Sequence, residues 1–554
     1  MAADGTQSST SSGLSEGEIK SSLDARLEVP GVEGFQVIGV NVSEGLSERT
    51  VADIEVGAHE DIEWTSALLS ACSLFVDQIE QGTRRTLSSR HWRLRLGEAR
   101  FVEHKDNAFR YLLTLSDSLW PLGLGLDTRK FRNMSARDIV QKILDEAEIP
   151  CSWSLASELP VRKYTAQYRE SKLAFVERLM EFEGIFYSFD EAGTVLFGDS
   201  SVSAERLRGG GEYALIEAAS GMARNDVGLH QLRRGGRVTT GKVTLGDYNF
   251  KTPDITLCSS AEGETDRIFE QYVFPAGFRK PEQGLRLARL RVDAHRATAS
   301  FLEGKGNEPA FAPGLGFAVG GTAAMPFAGE YLLTHIEHAA RTGAFTAGKA
   351  DGDSSRYENR FNAMPIDRPF RPLSKTPRPT VNGTHTAMVR GPAGEEIHTD
   401  HYGRFRAQLH WDREAVGSDE DSRWMRYIQE TTSSMALARV GWEVMVGYID
   451  GDPDRPIGLG RAINGQMTPT YGQPSNKTMM SIKTPSSPSS GGFNEIKMDD
   501  AGGAQHISIQ AEKDYDALIK NDKSETVGLN ETHTVTNDFK RHIQGNQYVT
   551  IGAN

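Results

Sequence analysis

Apolar and polar positions alternate over short stretches through most of this chain. Residues 404–411 are the clearest case: Phe405, Ala407, Leu409 and Trp411 face one way, and Arg404, Arg406, Gln408 and His410 the other. That is the period-two pattern of a half-buried strand. Residues 92–96, 111–115, 185–189, 194–197, 243–245 and 331–336 read the same way, as do 440–448 and 457–462, which are joined by an Asp450-Gly451-Asp452-Pro453 turn. The period changes to that of a helix in three places. Ser135 is an N-cap with Asp138 at the capping-box position, and Ile139, Ile143, Leu144 and Ala147 share one face. Residues 171–183 bury Phe175, Val176, Leu179 and Phe182 before Gly184 stops the helix, and a third helix is expected around residues 284–300.

Near the C-terminus a different spacing takes over. Ile519, Val527, Val535, Ile543 and Ile551 recur every eighth residue, each followed three places later by Asp or Asn. On an α-helix eight residues overshoot two turns by about 80°, so these positions would share no face. On a strand they all point the same way, because eight is even. One anchor per octad cannot fold a strand alone, since the intervening residues are polar and charged. A repeat of this kind buries its face against neighbours, and identical chains about a threefold axis supply them. The five residues are therefore expected to form the core of a trimeric, intertwined β-helix. The octad is interrupted at Asn554, and more of the same needle is expected beyond it.

These patterns divide the chain. Residues 1–30 are Ser- and Gly-rich with too little apolar content to offset the entropy of ordering. Residues 31–214 and 215–364 are expected to be two mainly β, barrel-like parts of one hub. A Pro-rich linker spans 365–380. An OB-type β-barrel follows over 381–465, then a Ser/Thr/Pro/Gly-rich neck over 466–492 and the β-helical segment over 493–554.

Composition narrows the possible roles. Of 554 residues 38% are hydrophobic, and 62 basic residues against 75 acidic ones give a net charge of −13, about −39 in a trimer. That balance argues against nucleic acid or an anionic membrane as the main partner. No stretch approaches the roughly 18–20 apolar residues of a membrane helix, and residues 1–22 lack the features of a signal peptide. Cys72, Cys151 and Cys258 are widely spaced, which suits buried thiols better than a disulfide framework or a metal site.

Candidate chemistry is sparse. Residues 13–17 match GxSxG, but a disordered tail cannot supply the strained turn that exposes the serine. Residues 236–242 approach a phosphate-binding loop, with Val243 where Ser or Thr would hold magnesium. Asp450, Asp452 and Asp454 begin like a calcium loop, yet Arg455 replaces the Gly at position six and Arg461 the Glu at position twelve. His335, Glu337 and His338 lack metalloprotease spacing, and neighbours on a strand face opposite ways. His398, His401 and His410 with Asp400 and Asp412 form the densest titratable cluster, although alternation puts His410 on the polar face of its strand. No catalytic, cofactor or metal residue is expected.

Residues 391–413 carry a longer ordered pattern: Glu395, Glu396, His398, Asp400, Tyr402, Gly403, then His410, Trp411 and Asp412, followed by Gly451, Asp452, Pro453, Arg455 and Pro456. Upstream stand Gln167-Tyr168-Arg169-Glu170-Ser171, Asp247-Tyr248-Asn249-Phe250 and Asn359-Arg360-Phe361. Together these resemble the valine-glycine repeat protein G (VgrG) family of type VI secretion spikes, from about residue 35 to the end. The Trp-Ala-Gly-rich loop and the Pro-Arg-Ile-Gly-Gln of that family are replaced here by Glu430-Thr431-Thr432-Ser433-Ser434-Met435 and Ala438-Arg439-Val440-Gly441-Trp442. The resemblance implies a structural, non-enzymatic homotrimer similar to a fusion of contractile-phage hub and spike proteins. It implies docking of the hub on an Hcp-type tube hexamer and baseplate, with a PAAR-type tip protein and effectors at the needle. Assembly in the bacterial cytoplasm and ejection towards a target-cell envelope follow from the same likeness. The alternatives are the spike of a phage tail or extracellular contractile particle, and a spike bearing an enzymatic C-terminal extension.

Overall fold

The computed structural model describes residues 21–552 apart from 81–84, 106, 203, 208–210, 217–227, 321, 344–355 and 431–432. The GxSxG match at residues 13–17 lies outside the described residues. The chain divides into two compact units, residues 1–462 and 463–554.

In the first unit a twelve-stranded sheet dominates. The two expected hub parts meet within it strand to strand, where Phe35–Gly45 runs antiparallel to Gly329–Arg341, pairing Val42 with His338. Val40, Val42, Ile54, Val56, Leu74, Leu94, Leu96 and Leu113 form a core on one face, completed by Trp64, Trp92 and Tyr111. A second core, built on Leu302, Phe311, Phe317, Leu333, Ile336 and Phe361, lies under the later strands. The tail expected over residues 1–30 is shorter than composition suggests, because Ser21–Glu28 is a strand paired antiparallel with Ala71–Glu80. Ala25, Leu27 and Val29 are buried there, so a sheet edge supplies the partner that local composition could not reveal.

The described residues include three α-helices: α1 (Ala136–Glu146), α2 (Lys172–Glu183) and α3 (Pro281–Ala297). The Ser135 hydroxyl accepts from the Asp138 backbone N–H while the Asp138 carboxylate accepts from the Ser135 N–H, completing the capping box. Gly184 ends α2 at φ 72°, the left-handed conformation that glycine adopts without a Cβ penalty. α1 and α2 enclose a core with Phe131, Ile149, Tyr187 and Phe197. Glu183, buried at the end of α2, receives Arg162 at 2.7 Å and Arg286 of α3 at 2.6 Å, tying the two helices.

Strands His385–Arg390, Phe405–Leu409, Arg423–Tyr427, Glu443–Tyr448 and Pro456–Ala462 close into a five-stranded barrel. Phe405, Ala407 and Leu409 point into it with Val389, Met425, Val444 and Val446, as the alternation requires. Gly458 passes over the Phe405 ring, where a Cβ would lie 2.6 Å from the ring carbons.

In the second unit Met479–Pro485, Phe493–Asp499 and His506–Gln510 form a three-stranded antiparallel sheet. The first of these lies inside the expected neck, so the neck is not wholly irregular. No strand is assigned among the described residues after 510.

Candidate functional site

The barrel is joined to the hub by charged side chains from opposite ends of the first unit. Asp247 ends the strand Lys242–Asp247, and its carboxylate is buried. Arg455 Nη2 donates to both oxygens at 2.8 and 2.7 Å, and the backbone N–H groups of Gly277 and Phe278 donate to Oδ2 at 2.6 and 3.1 Å. One residue earlier in the barrel turn, Asp454 Oδ1 accepts from the Ala166 N–H at 2.7 Å. Burial and the neighbouring Asp452 hold the Asp454 carboxyl above its ordinary range, against the opposing pull of Arg178 and Arg423. Lys130 pairs with Asp412, and Arg413 Nη2 donates to Asp127 at 2.6 Å. His385 lies between Tyr168 Oη, 3.2 Å from Nε2, and Tyr448 Oη, 2.7 Å from Nδ1. The buried pairs hold the two surfaces in one register, because breaking Arg455–Asp247 or Lys130–Asp412 strands a desolvated carboxylate.

The motif residues thus divide by task. Asp412, Asp452 and Arg455 serve the junction, Asp452 by accepting from the Asp454 N–H. Pro453 and Pro456 are buried beside them, and Gly451 turns the chain at φ 67°. Asp400 closes a turn, accepting from the N–H groups of Tyr402 and Arg404 and from the Arg404 guanidinium at 2.8 and 2.6 Å, with Gly403 at φ 64°. Tyr402 meets Phe250 edge-on, Glu396 stands 3.9 Å from Arg439, Trp411 packs against the barrel core and Glu395 is exposed.

The histidine cluster disperses. His398 lies on Trp424, His401 on Tyr402, and His410 is exposed 3.9 Å from Glu443. No group of three or more potential metal ligands occurs among the described residues. The acidic turn at 450–454 and Val243, buried in a strand, are spent on structure. Cys72 is buried, but Cys258 is exposed, since its strand Leu257–Glu262 shows alternate residues to solvent.

A buried network links the two parts of the hub. His338 Nε2 lies 3.0 Å from Glu44 Oε1, its Nδ1 2.6 Å from Tyr357 Oη, and Arg90 Nη2 donates to Glu44 Oε2 at 2.7 Å. Burial alone would raise the Glu44 pKa; Arg90 and His338 outweigh it and bring it to about 2. Burial pushes His338 below its ordinary value, partly offset by Glu44. Glu337, its neighbour, is exposed on the other face.

In the second unit all five octad anchors stand open in the single chain, from 38% exposure at Ile543 to 77% at Ile551. Leu518, Leu529 and Val549 are exposed with them. The five anchors recur at fixed spacing and are not buried by the single chain.

Lys130, Asp127 and the backbone N–H of Ala166 escape a reading of the sequence, because nothing local marks them and each has its partner nearly 300 positions away. Asp247 and Arg455 do stand within recognisable motifs, but nothing in either motif pairs them.

Comparison with known proteins agrees with this architecture. Residues 43–344 match the phage tail baseplate hub (GPD) family, and residues 480–554 the C-terminal trimerisation domain of bacteriophage T4 gp5. The type VI secretion spike protein VgrG5 of Pseudomonas aeruginosa is 32% identical over 532 residues, covering 91% of this chain and 65% of that protein. VgrG1a of the same species is 33% identical over 437 residues, covering 76% and 67%. The actin cross-linking toxin VgrG1 of Vibrio cholerae is 30% identical over 453 residues, covering 80% and 41%. The chain therefore spans about two thirds or less of the length of these relatives. An Escherichia coli type VI secretion component described as similar to T4 tail proteins gp27 and gp5 superposes with TM-score 0.56 at 21% identity, over 79% of this chain and 100% of that one. A Francisella PdpA–VgrG complex gives 0.58 at 6% identity, over 89% and 88%, a likeness of fold alone. On the strength of the hub match and the identity to the Pseudomonas spikes, the chain belongs to the VgrG family of type VI secretion spike proteins, built on a phage baseplate-hub framework.

Proposed function

We propose that this protein is the trimeric spike and hub of a contractile injection machine of the type VI class, acting mechanically. The observation that carries this reading is the pairing of a clamped hub and barrel with a C-terminal segment whose octad anchors have no partner in one chain. In a trimer those anchors would meet on the axis, and main-chain hydrogen bonding around the closed needle would leave no free edge. The hub would cap an Hcp-type tube hexamer on the baseplate, and the needle would carry a PAAR-type tip and effectors. The relative named as an actin cross-linking toxin supports cargo carriage as a property of such spikes. Assembly would take place in the bacterial cytoplasm, followed by ejection across a target envelope. Negative-stain images with native mass test this: a threefold club with a thin stalk is expected, and a compact monomer would overturn it.

The match to a phage tail hub family favours one second reading, the spike of a phage tail or extracellular contractile particle. Co-purification from the native cell separates the two. An Hcp-type tube protein supports the first, and capsid or phage-tail proteins the second.

A further inference from the structure

Between the hub and the barrel of the first unit lies a cleft of about 640 Å³. Its wall carries Arg132, Lys163, Lys251, Arg279, Arg423 and Arg426, none of which makes an ion pair within 4.0 Å among the described residues. Three further arginines of the wall are already matched: Arg404 by Asp400, Arg406 by Asp419 and Arg455 by Asp247. The carboxylates left in the wall are Asp450 and Asp454, and Asp454 is engaged by the Ala166 N–H. Arg423 lies over the Tyr164 ring at 4.2 Å, and its Nη1 is shut off from solvent without a hydrogen-bond partner among the described residues. Burial, reinforced by neighbouring cations, holds Lys251 and Arg279 below their ordinary values. Lys163, Lys251 and Arg279 reach solvent, but crowded on one wall with Arg423 these like charges repel one another, and anions arriving between them would relieve that cost.

The rim points to the kind of anion. Tyr248 and Phe274 line the cleft and are 55% and 58% exposed, and Ile268, Phe269 and Tyr272 of the same subdomain are at least half exposed. Phe250 is already flanked by Arg404, Arg426 and Tyr402, so it offers no free ring face for a base. An inorganic anion would neutralise the cations and leave the apolar strip in water. A protein surface carrying carboxylates would satisfy both, since an exposed apolar strip beside a charged cleft marks a protein contact. The chain itself has an excess of acidic residues, 75 against 62. Copies joined through their C-terminal segments would meet at effective concentrations on the order of millimolar.

We propose that carboxylate side chains of a second copy of this chain enter the cleft and complete it, the same copy covering the Tyr248–Phe274 strip. The proposal rests on the trimeric reading. It is tested on the full chain by native mass followed by zero-length carbodiimide coupling, which joins lysine amines only to carboxylates in contact. Lys163 or Lys251 should appear in dimer-mass products linked to an Asp or Glu peptide. Lys163→Arg with Lys251→Arg keeps both charges, and should retain the native mass while losing those products. A trimer in which both amines stay unlinked, or link only to Asp450 or Asp454 without any dimer-mass product, overturns the cleft proposal alone. A monomeric native mass overturns it together with the trimeric function.

Discussion

Asp247 concentrates more of the architecture than any other side chain in the junction. It accepts from two backbone N–H groups around residue 277 and from Arg455 of the barrel, so one carboxylate fixes a hub loop and the barrel turn together. Asp247→Ala leaves Arg455 with only Asp452 at 3.5 Å and takes the acceptor from the N–H groups of Tyr248, Gly277 and Phe278. The expected cost is about 3–5 kcal/mol, read as a lower unfolding temperature and faster amide exchange at residues 276–278; an unchanged melting curve would refute the clamp. Glu44 makes a prediction about pH. Its folded pKa of about 2 lies below the ordinary 4.5, so its contribution is complete above pH 4.5 and is lost as the pH falls towards 2. With roughly 1.4 kcal/mol per pKa unit this amounts to about 3 kcal/mol. His338 is also depressed from 6.5, its neutral form being favoured by burial, and its contribution begins to fade once the pH drops below 6.5. Stability should therefore fall in two stages on acidification. Glu44→Gln should flatten the second stage in thermal melts between pH 5 and 3, and an identical acid profile would argue against the network.

At the scale of elements, local signals and tertiary ones separate cleanly. The α1 capping box and the glycine that ends α2 are written in neighbouring residues, and both helices start and stop within a residue or two of where those signals place them. The barrel strand Phe405–Leu409 follows its alternation for the same reason. Ser21–Glu28 does not stand out in its own composition, because what orders it is the edge of a sheet formed by Ala71–Glu80. Gly458 is another case in which the neighbour decides. A methyl group there would press on Phe405 at 2.6 Å, so Gly458→Ala should destabilise the barrel by about 1–3 kcal/mol. Hydrogen exchange in His385–Arg390 would report it, and unaltered protection there would show that Phe405 can move aside.

For the whole molecule, the octads carry the largest consequence. Val535 is 42% exposed in one chain and, in the proposed trimer, would be buried three times over on the axis. Val535→Asp would bring three carboxylates together out of water, a desolvation cost of several kcal/mol per charge. Loss of the trimer in sedimentation is expected, and a trimeric mass for that variant would count against the axial arrangement.

The sequence by itself determined the periodicities: which residues alternate, where the helices cap, and that five β-branched residues recur eight apart, the spacing on which the proposed trimer rests. Its motifs also named the family, and they marked Asp412, Asp452 and Arg455 without saying why those residues matter. Only the tertiary structure decided that Arg455 meets Asp247, that Lys130 meets Asp412, and that the two hub parts share one sheet through Val42 and His338. It likewise scattered the histidine cluster and assembled a basic cleft from cations that are unremarkable one at a time. The physical reason is reach. Caps and alternation act over a few residues and leave a local mark, whereas a long-range ion pair depends on where two distant backbones are carried, and neither partner records the other.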